Sequence, residues 1–434
     1  MVEVLIAVVS LIVLLLIGLP VSFALAAAGC LGMFLLRGLD PALGLFAGTP
    51  YREAASYSLL VIPMFALMAG FARHSGLTRK LFDAARAWFG HLPGGLAIGS
   101  IVASAGLGAI CGSSAAAAAM MAGVSVPEMQ RSGYGRKLSL GSIAIAGTLA
   151  ILIPPSNTLV IYGLITEESI GKLLIAGIIP GILTAVIYSI TVIIWVKLRP
   201  QEAPVVNKAR WEERISSLKG VWTLLIVMLL VLGGIYTGAV TPTEASAVGA
   251  FAVLILGLFF GELRQGGLIT NIRHSLNDAG RTTAMIFLII VGAMIFGYFL
   301  TATNATQALV KFVKALPVSR SVILFAILVI YLILGCFMDQ VAILFLTLPL
   351  VFPVVTALGY DPIWFGVIIT KTAEIGLVTP PLGLNCYVVA GVTGNKVEEV
   401  FSGIWPLLFA DLCTLALLVF VPEISLWLPN HMAG

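Results

Sequence analysis

Charged side chains are scarce in this chain. Its 434 residues include 24 Lys or Arg and 20 Asp or Glu, which is 10%, whereas soluble globular proteins carry about a quarter. Hydrophobic residues make up 60% of the chain, and its mean hydropathy is +1.09. Apolar runs of about 20 residues recur along most of its length. This composition excludes a soluble globular protein and predicts an all-α polytopic membrane protein.

Clustered cysteine and histidine are also lacking. The five cysteines stand singly in apolar surroundings, and the four histidines are scattered as well. No spacing typical of a metal site or a disulfide framework is present, so we expect no cofactor. No nucleophile–base pair or metal-ligand spacing is found among the buried polar positions, which argues against a membrane enzyme.

Basic residues are dispersed, apart from one dense stretch. The net charge of +4 is spread between apolar runs, so nucleic acid is not an expected partner. The densest basic segment, residues 197–219, contains six Lys or Arg, and the positive-inside rule places it in the cytoplasm. The N-terminal apolar run has no basic residues before it and leads directly into a second run. We therefore do not expect a cleaved signal peptide.

The chain carries the marks of an internal duplication. Four landmarks of the first half recur in the second half in the same order, at offsets of 223 to 226 residues. The pairs are Leu92-Pro93 with Leu316-Pro317, Gly112 with Gly335, Gly133-Tyr134 with Gly359-Tyr360, and Pro154-Pro155 with Pro380-Pro381. Each half is predicted to hold a re-entrant hairpin broken at its glycine, and a helix broken at its double proline.

Repeated halves with interrupted apolar segments are typical of secondary transporters, in which the binding site lies between the repeats. Alternating access fits this pattern better than a channel does. An odd number of crossings between the two halves would make the repeats inverted, and inverted repeats are what we expect.

Each double proline frees backbone carbonyls inside the membrane. Proline has no N–H to donate, so Pro154 and Pro155 release the carbonyls of Ala150 and Ile151. In hydrocarbon such a carbonyl is tolerated only when protein, water or a ligand satisfies it. Carbonyls together with nearby hydroxyls form an oxygen cage that suits a small cation such as sodium. The alternative is that the prolines only kink a helix for packing.

Three ionisable residues stand out in apolar runs. Asp339 lies in the second glycine break, and an intramembrane acid is a functional hypothesis; its alternative role is a capping hydrogen bond at the hairpin tip. Lys371 and Glu374 are three residues apart, so they are predicted to pair on one helix face.

Four segments resemble one transporter family. Residues 147–156 (GTLAILIPPS), 241–250 (TPTEASAVGA), 335–339 (GCFMD) and 376–385 (GLVTPPLGLN) resemble the large membrane subunit, of the DctM type, of tripartite ATP-independent periplasmic (TRAP) transporters. The resemblance implies an elevator-type carrier of the ion transporter superfamily, in a bacterial or archaeal cytoplasmic (inner) membrane. Sodium entry would drive uptake of a small organic anion, such as a carboxylate, a sugar acid or a sulfonate.

The resemblance also implies partners and site residues. A periplasmic binding protein would deliver the anion, and a small four-helix membrane subunit would complete the complex. Sodium site 1 would comprise Gly112, Ser113, Ser114, Ala150, Ile153 and Pro155, and sodium site 2 would comprise Gly335, Gly376, Thr379 and Leu382. The substrate candidates are Ser156, Asn157, Asp339 and Asn385. The family often has glycine at the position of Ala150, which makes a tight approach there less certain.

A five-part organisation follows from the duplication and the resemblance. The expected parts are scaffold helices and a first interfacial arm (1–92), transport repeat 1 (93–196), the basic linker (197–219), further scaffold helices and a second arm (220–315), and transport repeat 2 (316–434). The arms, at 73–90 and 261–282, would brace the scaffold. The alternative within transport is a stand-alone sodium/dicarboxylate symporter of the same superfamily.

Overall fold

The computed structural model describes residues 2–204, 208–259, 263 and 267–432. Within these ranges every regular element is helical. Seven helices are long and apolar enough to cross a membrane, and the number is nine if each of two bent pairs counts as one span. The described part of the chain is therefore an all-helical, multi-pass membrane protein, as its composition predicts.

The first half opens with five helices: α1 (Val2–Leu16), α2 (Val21–Arg37), α3 (Leu39–Ala54), α4 (Val61–His74) and α5 (Leu77–Phe89). They are followed by α6 (Gly95–Cys111), α7 (Ser114–Arg131), α8 (Arg136–Ala146), α9 (Leu149–Leu152), α10 (Asn157–Thr166), α11 (Ile170–Ala176) and α12 (Ile178–Leu198). Helix α3 was not predicted, because its polar and apolar residues do not form a long apolar run. Helix α7 continues through Pro127 to Arg131.

The second half contains α13 (Trp211–Leu218), α14 (Trp222–Met228), α15 (Gly234–Tyr236), α16 (Pro242–Phe259), α17 (Leu268–Ala302) and α18 (Ala305–Ala315). It ends with α19 (Arg320–Phe337), α20 (Gln340–Ala357), α21 (Pro362–Val378), α22 (Leu384–Thr393), α23 (Val397–Phe420) and α24 (Glu423–Asn430). Asp361 shows why α21 begins where it does: its side chain accepts a hydrogen bond from Trp364 N at 2.9 Å, and proline follows it at the first helical position.

The second arm is not a separate element. Residues 260–262 and 264–266, at the start of the arm expected at 261–282, lie outside the described residues. The described remainder, 268–282, is the N-terminal half of α17, a helix of 35 residues. Near residue 283 the sequence changes from polar to apolar. The helix continues through this point because neither proline nor a glycine pair interrupts it there. The amphipathic helix that directly precedes the second Leu-Pro is α18.

The helices pack in two groups. In the first group α2 and α4 both pack on α17, and α4 also packs on α16. In the second group α6 to α12 pack together with α19 to α23. Small residues permit close approach: a Cβ at Gly29 of α2 would lie 2.8 Å from Phe296 Cα of α17. Close packing of this kind is what holds helices together in lipid, where the hydrophobic effect cannot.

The same order of elements occurs in both halves of the second group. Helices α6 and α7 form a hairpin, and then come α8 with α9, a double proline, the short helix α10 and the long helix α12. In the second half α19 and α20 form the hairpin, followed by α21, a double proline, α22 and α23. Both Pro-Pro peptide bonds are cis.

The linker is docked against the first half. Residues 205–207 of the predicted linker (197–219) are outside the described residues. The buried side chain of Arg214, on α13, lies over the rings of Trp88 and Trp211, and its Nη2 is 3.2 Å from His91 Nδ1. Trp88 Nε1 also donates to Arg214 O over 3.2 Å. These contacts fasten α13 to the amphipathic helix α5.

Candidate functional site

Helix ends converge at four breaks. The first hairpin turns at Gly112 and Ser113, and α7 begins at Ser114. The second turns at Met338 and Asp339, and α20 begins at Gln340. Together with the two double prolines, these breaks place helix N-termini, which favour anions, beside helix C-termini, whose free carbonyls favour cations.

The residues of predicted sodium site 1 lie mostly together. Gly112 has a φ of +55°, and a Cβ there would lie 3.2 Å from both Pro155 O and Asn157 N. Ala150 is fully buried, and its Cα packs so closely on Gly108 of α6 that a Cβ on that glycine would overlap it. The first hairpin therefore packs on the backbone of the broken helix, which leaves little room for larger side chains.

Two members of this first set face other neighbours. The side chain of Ile153 packs against Gly181 of α12. The hydroxyl of Ser114 accepts a hydrogen bond from Asn385 Nδ2 over 2.6 Å, so it faces α22. The adjacent Ser113 is partly exposed at the turn.

In predicted sodium site 2, Gly335 and Gly376 are in backbone contact. A Cβ on Gly335 would lie 2.7 Å from Ala373 O and 2.9 Å from Gly376 Cα. Thr379 donates its hydroxyl to Ile375 O over 2.5 Å, which leaves the oxygen lone pairs available. Leu382 is 45% exposed at the surface of the chain.

The structure corrects one of the pairs drawn from the sequence. Gly335 packs on Gly376 as Gly108 packs on Ala150, so in its contacts Gly335 corresponds to Gly108 rather than to Gly112. The offset then becomes 227 residues, close to the 226 that separates the double prolines. At the crossing of the hairpin helix and the broken helix, glycine is needed because a Cβ would not fit. At the hairpin turn, Gly112 is needed for its positive φ.

The substrate candidates are divided between the tips. Ser156 is buried and caps α10, where its hydroxyl accepts from Leu159 N at 3.2 Å. Asn157 adjoins Gly112, and the buried Asn385 contacts the first tip through Ser114. Asp339 is exposed and caps α20 by accepting from Val341 N at 3.1 Å, which is the capping role weighed for it.

Sequence reasoning missed Gln340, which links the two halves. Its Oε1 accepts from Thr158 Oγ1 of α10 over 2.9 Å, and its Nε2 donates to the carboxylate of Glu374. Helix α10 thus packs on α20 of the second hairpin, while α22 packs on α7 of the first hairpin. The sequence did contain a signal for Gln340: it is a polar amide at the first position of α20. Ser114 occupies the equivalent first position of α7.

The predicted pairing of Lys371 with Glu374 is wrong. Lys371 Nζ forms an ion pair with Asp411 of α23, and both side chains are fully buried. The ammonium also lies 5.5 Å from the centroid of the Tyr188 ring. A carboxylate on the facing helix reaches Lys371 more directly than one on the next turn of its own helix. A lone acid at 411 in an apolar run was the signal that could have indicated this pair.

Comparison with known proteins gives a consistent assignment. A family model described as "Tripartite ATP-independent periplasmic transporter, DctM component" matches residues 8–424. A C4-dicarboxylate TRAP transporter large permease protein DctM from Pseudomonas aeruginosa is 38% identical over 384 residues, which is 88% of each chain. An isethionate TRAP transporter permease protein DctMQ from Oleidesulfovibrio alaskensis is 33% identical over 95% of this chain and 64% of its own.

One solved structure has the same fold. The YdaH transporter of Alcanivorax borkumensis superposes with a TM-score of 0.62 at 14% sequence identity, covering 90% of this chain and 88% of that one.

Proposed function

This chain belongs to the DctM family of tripartite ATP-independent periplasmic transporters, and we propose that it carries a small organic anion into the cell together with sodium ions. It is a transporter subunit and not an enzyme. The observation that carries the proposal is the pair of broken helices, each packed against a hairpin through a glycine. Such discontinuous helices are how secondary transporters present backbone groups to ions and substrates.

Sodium would bind at the helix C-termini and the substrate at the helix N-termini. The close approach of Gly112 to Pro155 O supports a first carbonyl cage, and Thr379 beside the Gly335–Gly376 contact supports a second. The first residues of α7, α10, α20 and α22 would face the anion with backbone N–H groups and a favourable dipole.

The substrate we propose is a carboxylate, a sugar acid or a sulfonate. The candidates Ser156, Asn157 and Asn385 offer hydroxyl and amide groups, which suit any of these anions. Relatives named for a C4-dicarboxylate and for isethionate support both carboxylate and sulfonate chemistry.

An elevator movement is the mechanism that fits the packing. Helices α1 to α4, α16 and α17 would form the scaffold, and the two hairpins with their broken helices would form the moving part. The recurring element order supports two repeats within the moving part, and we propose that they are inverted. Helix α5, fastened to α13, would brace the scaffold at the membrane surface.

The proposed assembly contains two further proteins. A periplasmic binding protein would deliver the anion, and a small membrane subunit would complete the complex in the inner membrane of a bacterium or an archaeon. The relative named DctMQ extends well beyond the part that this chain matches, which supports a second membrane component in the assembly.

Reconstitution tests this function. The chain and its small subunit are placed in proteoliposomes with an inward sodium gradient, and uptake of radiolabelled succinate or isethionate is measured with and without the binding protein. We expect uptake only when sodium and the binding protein are both present. Equal uptake with choline in place of sodium would refute sodium coupling. Full uptake without the binding protein would instead support the stand-alone symporter.

A further inference from the structure

Three ionisable side chains are buried together between the hairpin tips. Lys371 and Asp411 form an ion pair, and Glu374 lies one helical turn beyond Lys371 on α21. All three are fully buried. Among the described residues, the charged groups that face Glu374 are Lys371 and Asp411. Because those two neutralise each other, Glu374 would bring one uncompensated negative charge into the membrane interior whenever it is ionised.

The neighbours of Glu374 do not supply the missing charge. Its Oε1 accepts from the amide of Gln340, and the hydroxyl of Ser114 also contacts the carboxylate. Both partners are neutral. A buried carboxylate without a counter-charge is strongly disfavoured, so Glu374 must be neutralised either by a proton or by a bound cation.

Oxygen atoms without partners mark where such a cation would bind. Glu374 Oε2 and Asn385 Oδ1 are buried and have no hydrogen-bond partner among the described residues. Both side chains contact the hydroxyl of Ser114, which is only 2% exposed. Two buried acceptors therefore belong to side chains that meet at one hydroxyl, and no donor among the described residues satisfies either of them.

We propose that Glu374, Asn385 and Ser114 form a third cation site, for one monovalent ion such as sodium, at the junction of the two hairpin tips. An all-oxygen ligand set selects a hard cation, and a single uncompensated charge selects a monovalent one. The site uses Ser114, which also belongs to predicted sodium site 1, and Asn385, which is also a substrate candidate. It differs from the two proposed cages because its first ligand is a carboxylate and not a backbone carbonyl. This inference depends on the proposed function in one respect, which is that sodium is taken as the coupling ion.

The site would couple the two hairpins. Ser114 is the first residue of α7 at the first tip, and Gln340, which holds Glu374, is the first residue of α20 at the second. A cation bound by Glu374 would therefore draw both tips towards α21. Occupancy of this site would favour a state in which both hairpins are closed.

Counting bound sodium tests the inference. Radioactive sodium binding at saturation is measured on the purified full-length chain and on Glu374→Gln, which keeps the size of the side chain and removes its charge. We expect the variant to bind one sodium ion fewer. The matched control is Glu398→Gln, at an exposed position in the first turn of α23, which should lose none. An equal count in Glu374→Gln would overturn the site.

A second measurement requires no variant. Density maps of the wild-type protein in sodium chloride and in N-methylglucamine chloride are compared beside Glu374 Oε2. A peak at coordination distance from Oε2 that is present only in sodium supports the site, and its absence from the sodium map overturns it. A wild-type chain that binds no sodium at all would refute the proposed sodium coupling as well, so the two failures are distinguishable.

Discussion

Gly335 and Gly376 bring the backbones of α19 and α21 into direct contact. A methyl group on Gly376 would lie 2.5 Å from Gly335 Cα and 2.7 Å from Leu332 O. Backbone atoms cannot move aside as the end of a flexible side chain can. The second hairpin and the second broken helix therefore lie so close at this point that no side chain fits between them.

Gly376→Ala is expected to destabilise the protein by about 1–3 kcal/mol, because it overpacks this contact. The measurement is thermal unfolding of the purified protein in detergent. Gly391→Ala is a matched control in the neighbouring helix α22, where a Cβ would meet nothing within 4 Å. That control should be neutral or slightly stabilising, since alanine is the better helix former. Equal melting temperatures for Gly376→Ala and the wild type would contradict the contact.

Removing one partner of the buried ion pair should be costly. Lys371→Met leaves Asp411 as an unpaired buried charge, and we expect a loss of about 3–5 kcal/mol. The double variant Lys371→Met/Asp411→Leu removes both charges and should recover much of that loss. Thermal unfolding of the two single variants and the double variant gives the coupling energy. Additive losses would show that the two side chains do not interact.

Asp411→Asn should weaken sodium binding even though Asp411 is not among the proposed ligands. Without its partner, the ammonium of Lys371 becomes free to neutralise Glu374, one turn away on the same helix. The ammonium then competes with the cation for the same carboxylate. Sodium titration of the variant should give a higher half-saturation concentration than that of the wild type. An unchanged sodium titration would mean that the charge of Lys371 does not influence Glu374.

Thr379→Val should weaken the sodium dependence of uptake without unfolding the protein. The substitution removes one oxygen ligand and keeps the shape of the side chain. We expect a loss of about 1–3 kcal/mol, or roughly a 5- to 150-fold higher half-saturation concentration. Thr356→Val is a control because Thr356 makes the same kind of bond to the carbonyl four residues earlier, at the exposed end of α20. Ser114→Ala is expected to behave like Thr379→Val. Unchanged sodium titrations in both site variants would count against the oxygen cages.

Arg214→Ala should release α13 from α5. The guanidinium centre lies 5.3 Å from the ring centroid of Trp211 and 5.9 Å from that of Trp88, and each such contact contributes about 0.5–2 kcal/mol. Amide hydrogen exchange in residues 211–218 should become faster. Lys208→Ala, at an exposed position of the same linker, is the control. Similar exchange in both variants would argue that the linker is held by other contacts.

Local signals made much of the fold predictable. The hairpin predicted around the second glycine break is found as α19 and α20, and α21 ends just before the second double proline, where a broken helix is predicted. Aspartate before a helix, proline at its first turn and glycine at a break act through neighbouring backbone groups, so their effect can be inferred from nearby sequence. The breaks at the hairpin tips and at the double prolines were predicted for this reason.

Contacts between distant segments were not predictable in the same way. The pairing of Lys371 with Asp411 joins residues 40 positions apart, and the bond from Asn385 to Ser114 spans 271 positions. Which acid reaches which base depends on the rotation of α21 relative to α23, and the apolar pattern does not fix that rotation when a helix is buried all round. The equivalence of Gly108 with Gly335 also became visible only from what each glycine touches.

The unbroken helix α17 sets a length that the bilayer must accommodate. At 1.5 Å per residue, its 35 residues span about 52 Å, whereas the hydrocarbon core is about 30 Å thick. The polar N-terminal half is anchored where Arg73 meets Asp278 at 3.0 Å. About 20 Å of rigid rod must therefore stand in the headgroup region or in water, or be absorbed by tilt. Any rotation of the membrane-embedded half would turn this outer half with it, so a probe attached there would report movement within the lipid.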